Sequence, residues 1–76
     1  MSWERLAAPM KTFSVIYERD EEGWWVAEVS EVPGCHTQGS TIEEARERIL
    51  DALSLYTDER TEILLREEAR QPGTAA

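Results

Sequence analysis

Residues 11–30, KTFSVIYERDEEGWWVAEVS, decide the fold. From Lys11 to Arg19 the stretch alternates, with Phe13, Val15 and Tyr17 on one side and Thr12, Ser14, Ile16 and Glu18 on the other. A period of two, with aromatic and β-branched residues, predicts a strand. Asp20-Glu21-Glu22-Gly23 supplies a turn whose glycine tolerates the positive φ that tight hairpin loops use. From Trp24 to Ser30 a second strand is predicted, so residues 11–30 form a β-hairpin. On that strand Trp25, Ala27 and Val29 are all apolar and are expected to face the core. The opposite face would hold Trp24 and Val26, joined by Ile16 from the first strand. An apolar patch on a nominally solvated sheet face is the kind of surface that marks an interaction site.

Downstream, Pro33-Gly34 suits the central positions of a type II turn, and Cys35 to Gly39 leaves room for a short third strand. Ser40-Thr41-Ile42-Glu43 has the form of a capping box, Ser40 bonding the backbone N–H of Glu43. A helix over 41–57 follows, with Ile42, Ala45, Ile49, Ala52, Leu53 and Tyr56 along one stripe. Residues 61–67 read as a final strand with Ile63 and Leu65 inward, or as a helix through Arg60, Ile63, Leu64 and Glu67. A hairpin and one helix gain from a wider sheet, which favours the strand. The predicted architecture is α+β, in the order β-β-β-α-β: a small antiparallel sheet with one amphipathic helix on one face. Its parts are an extension over 1–9, the domain over 10–70 and a tail over 71–76.

Composition narrows the function. A chain of 76 residues sits near the lower limit for a self-sufficient core, and a single cysteine excludes an internal disulfide. Oligomerisation, to a homodimer or larger assembly, is the expected remedy. Sixteen acidic against eight basic residues give a net charge of −8. Such a surface repels nucleic acid, whose binding depends on cations neutralising phosphates, and attracts basic proteins. No signal-peptide pattern and no apolar run of membrane-spanning length occur, so a cytoplasmic protein is expected.

Catalysis has little to draw on. Cys35 and His36 are adjacent, so in a strand they point to opposite faces and cannot pair. Cys35 reads as a small core residue and His36 as a surface one. The acidic run 18–22 lacks the spacing of an ion-binding loop. The expectation is no enzyme, no metal and no cofactor.

The segments Met10–Ile16, Glu18–Gly23 and Trp25–Ala27, then Glu31–Gly39 and Thr41–Ala45, resemble HicB-like antitoxin domains in order and spacing. The resemblance covers about residues 10–57 and implies a partial ribonuclease-H-like fold used for binding rather than cleavage. It also implies Met10 as the ancestral start. In members of toxin–antitoxin systems such a domain covers a small basic mRNA-cleaving toxin. Full-length antitoxins usually add a C-terminal DNA-binding module. The roughly twenty residues after the helix are too few for one here, so direct DNA binding is not expected. On this reading Trp24, Glu28, Glu31, Pro33, Gly34 and His36 form the partner surface. The alternative is a self-assembling domain with some other partner or small ligand and no toxin, its outer sheet face forming the homodimer.

Overall fold

The computed structural model describes residues 9–70; the predicted extension and tail, apart from Pro9, lie outside the described residues. Five elements run in the predicted order: β1 Met10–Arg19, β2 Trp25–Val29, β3 His36–Gly39, α1 Ile42–Leu53 and β4 Glu62–Arg70. They form one four-stranded sheet in the order β3-β2-β1-β4, so the first strand made is a central one.

The hairpin turn works as its residues predict. Asp20 Oδ1 accepts the backbone N–H groups of Glu22 and Trp24, both at 2.9 Å. Gly23 stands at φ +92°. The second turn is held by the Cys35 N–H donating to the Val32 carbonyl at 3.0 Å, with Gly34 at φ +85° in the third position. This is the type II turn expected of Pro-Gly.

The core also follows the alternation. Phe13, Val15, Tyr17, Ala27, Val29 and Cys35 from the sheet meet Ala45, Ile49 and Leu53 from the helix, all buried. Trp25, Ile63 and Leu65 pack against this cluster, half-buried. The helix lies over β2 and β3 rather than over β4. It seats closely on Gly39, where an added Cβ would stand 2.7 Å from the Ala45 nitrogen.

Three expectations need correction. β4 runs parallel to β1, in register from Met10↔Glu62 to Glu18↔Arg70, so the sheet is mixed rather than antiparallel. The helical crossover carries the chain back to the starting end of the sheet, and a strand launched from there must run parallel to β1 and β3. The helix cap is one residue later than predicted: Thr41, not Ser40, is the N-cap, accepting from the Glu44 N–H at 3.0 Å. Glu44 in turn accepts from the Ser40 N–H at 2.7 Å. Two hydroxyls followed by two glutamates permit either frame, and the later one lets the chain clear the helix contact at Gly39.

The helix also ends at Leu53, four residues early. The N–H groups of Leu55 and Tyr56 fold back three residues, to Ala52 and Leu53, and the Ser54 hydroxyl donates to the Asp51 carbonyl at 2.6 Å. This tightening is a common way to close a helix. It turns Tyr56 out to 56% exposure instead of onto the core stripe.

Candidate functional site

Among the described residues nothing covers the sheet face away from the helix, and strand register fixes what it presents. One row across β3, β2, β1 and β4 reads Gln38, Val26, Glu18, Arg70; the next reads His36, Glu28, Ile16, Glu68. Ile16 and Val26 are half-buried, while the acidic residues around them are exposed. The predicted patch is therefore small, with Glu18, Glu28 and Glu68 around it and Arg70, bonded to Glu68 at 2.6 Å, at its edge.

Glu28 and His36 are cross-strand partners on this face, so the two are brought together. Trp24 immediately precedes β2 and is 39% exposed. Pro33 and Gly34 are exposed in the turn beyond the other end of β2. At about 3.4 Å per residue, Trp24 and Pro33 stand some 20 Å or more apart along the strand direction. The six residues form a strip along β2 rather than a cluster.

Glu31 is already engaged. Its two carboxylate oxygens accept the Ser14 N–H at 2.7 Å and the Ser14 hydroxyl at 2.8 Å. These bonds, the backbone one foremost, hold the carboxyl below its usual range. Glu31 thus clamps the β2–β3 turn to β1 where the ladder ends. Beside the clamp is an open pocket of about 260 Å³, lined by Ser14, Ile16, Ser30 and Arg66 among others.

On the helix side lies a polar group that local sequence patterns do not reveal. Glu67 Oε1 accepts both the Tyr17 hydroxyl and the Arg46 Nε–H, each at 2.6 Å. Burial, then the Glu67 hydrogen bond and charge, push the Tyr17 hydroxyl up to about 12. Burial acts to raise Glu67 as well. The hydrogen bonds from Tyr17 and Arg46 and the guanidinium charge outweigh it, leaving Glu67 below its usual range. Elsewhere the backbone N–H groups of Ser40 and Arg60 hold the Glu44 and Asp58 carboxyls below their usual range, and hydrogen bonds to Glu67 and Glu68 hold the Arg46 and Arg70 guanidiniums above theirs. The shifted groups therefore act as fixed charges or fixed donors near neutral pH. Residues 17, 46 and 67 lie on three elements, which is why spacing alone does not expose them.

The triad has a pH consequence. Tyr17 has a folded pKa above its unfolded value, so its stabilising contribution is whole below pH 10 and is lost as pH rises towards 12. We expect the urea midpoint to fall between pH 9.5 and about 11.5, and to fall less in Tyr17→Phe. Equal declines in the two proteins would refute the assignment. Glu67 has the opposite sense: its contribution is present above its unfolded pKa and lost as pH falls through the lowered folded value.

Among the described residues no three His, Cys, Asp or Glu side chains are grouped to hold a metal ion, and no helix is long and apolar enough to cross a membrane. Comparison with known proteins finds no matching family model and no matching solved structure. Curated relatives do match. A UPF0150 protein of Archaeoglobus fulgidus is 41% identical over 46 residues, 60% of this chain and 67% of the relative. One from Synechocystis sp. is 38% identical over 47 residues, 62% of this chain and 68% of the relative. One from Thermoplasma acidophilum is 41% identical over 46 residues, with 60% and 67% covered. None of these names states an activity or a partner. At this identity over two thirds of each relative, the chain belongs to the UPF0150 family.

Proposed function

We propose that the domain is a non-catalytic protein-binding module whose uncovered sheet face masks a small basic partner, as an antitoxin masks an mRNA-cleaving toxin. The observation that carries this reading is the face itself, where Ile16 and Val26 lie among Glu18, Glu28 and Glu68, with Arg70 at the edge already engaged by Glu68. An apolar centre with a charged rim is the general anatomy of a protein interface. The overall charge of −8 favours a basic partner and speeds its approach. The resemblance to HicB-like domains supplies the partner class. Within this reading Glu28 and His36 lie on the binding face and Trp24 at its margin, while Glu31 shapes the neighbouring turn.

The test is light-scattering mass on the protein alone and mixed with the product of the adjacent gene, followed by an RNA-cleavage assay. A complex of defined mass that suppresses cleavage is expected. Glu28→Lys should weaken it roughly tenfold, mainly through slower association at low salt. Absence of any complex would instead favour a domain acting without a toxin.

A further inference from the structure

We infer that the outer edge of β4 is a homodimer seam, at which two copies join antiparallel about a two-fold axis through Leu64. Among the described residues β4 is bonded only to β1, which leaves one edge of a nine-residue strand unpaired. The Glu62 N–H donates to the Pro9 carbonyl, so even-numbered β4 residues turn their backbone groups towards β1. The N–H and C=O groups of Ile63, Leu65 and Glu67 consequently point outward, available to a second strand.

Apolar surface lines both sides of this edge. Ile63 and Leu65, on the helix side of β4, are only half-buried because the helix lies over β2 and β3, and Leu64 is 40% exposed on the opposite face. Covering β4 with a copy of itself would bury all three. A strand of this length with free edge groups is a template for such pairing.

The sequence of β4 selects one register. A two-fold axis perpendicular to the sheet keeps faces matched, so residues of the same parity stand opposite one another. With the axis at Leu64, Glu62 faces Arg66 of the second copy and Ile63 faces its Leu65, while Leu64 meets its own copy. One step beyond the strand the pattern continues, with Arg60 towards Glu68. The neighbouring alternatives conflict. An axis at Arg66 or Glu67 sets that charge against itself, one at Leu65 opposes Glu62 with Glu68, and one at Ile63 opposes Arg60 with Arg66. Charges on an exposed edge commonly block pairing; here their order permits one antiparallel pairing and discourages its neighbours. The joined sheet would have eight strands, with both uncovered faces still open. The seam uses an edge and not the face assigned above, so either proposal can fail without the other.

The experiment is light-scattering mass of the full chain across a concentration series, with folding of each variant checked by circular dichroism. The wild type is expected at twice the chain mass. Glu62→Arg and Arg66→Glu each place like charges across the seam twice, and each should raise the dissociation constant roughly tenfold or more. Mixing these two variants should restore a dimer, because every seam contact then joins opposite charges. Leu64→Cys gives an independent readout: opposed non-hydrogen-bonded residues lie about 4.5 Å apart at Cα, close enough for an intermolecular disulfide on oxidation. A monomeric wild type at all concentrations, single variants that keep the full dimer mass, or a Leu64→Cys protein that does not cross-link would each overturn the seam.

Discussion

Gly39→Ala is expected to destabilise the domain by about 2–3 kcal/mol, the upper part of the roughly 1–3 kcal/mol typical of forcing extra volume into a packed site. Glycine to alanine at an ordinary backbone conformation normally stabilises slightly, by restricting the unfolded chain. Gly39 has no positive φ, so that gain is available. Sterics reverse the sign. The new methyl would lie 2.7 Å from the Ala45 nitrogen, 3.0 Å from Glu44 Cβ and 3.1 Å from the Glu44 carbonyl carbon. Two of those atoms belong to the helix backbone and cannot swing aside, so the first turn of α1 must lift off β3. Lifting it loosens Ala45, which is fully buried, and stretches the Thr37 hydroxyl bond to the Ala45 carbonyl. A urea melt reads the effect as a lower midpoint at unchanged slope. A variant as stable as the wild type would mean that the helix does not sit on β3 as described.

Neighbouring tryptophans should behave very differently. Trp25→Ala is expected to cost about 2–4 kcal/mol, because the ring packs on the core and lies under the Arg19 guanidinium, 5.8 Å from its centroid. Trp24→Ala is expected to change stability by less than about 0.5 kcal/mol, as exposed substitutions do. The bonds that Trp24 makes in the turn, between its N–H and Asp20 Oδ1 and from the Asp20 N–H to its carbonyl, are backbone bonds that alanine retains. Under the proposed function the ranking inverts for association, and Trp24→Ala weakens partner binding while the monomer stays folded. Thermal melts of the two variants decide the first point and titration with the partner the second. A severe loss of stability in Trp24→Ala with a mild one in Trp25→Ala would reverse the facing of β2.

These contrasts show what local pattern encodes. The facing of β1 and β2 was legible because side chains alternate strictly, and a one-residue slip would have buried Glu28 in place of Ala27. The inward set of β4 was legible for the same reason, but its direction was not. Ile63 and Leu65 face the helix side whether the strand runs parallel or antiparallel, and only the crossover decides. The end of α1 was obscured because Ser54-Leu55-Tyr56 continues a helical spacing without glycine or proline. The cap frame was obscured by tandem hydroxyls and tandem glutamates. Of the candidate surface, Glu28 and His36 followed from parity, whereas the engagement of Glu31 by Ser14 and the meeting of Tyr17, Arg46 and Glu67 depend on long-range proximity.

The placement of the first strand in the middle of the sheet also bears on how the domain assembles. Every β1–β4 pair joins residues 52 positions apart. The β1–β2 hairpin is local and can close within microseconds, but β4 pays its loop-closure entropy before any contact rewards it. Docking of β4 is therefore expected to be the slow step. During synthesis the chain must wait with one side of β1 bare until the final strand emerges, and that interval is when misassembly with another nascent chain is most favoured.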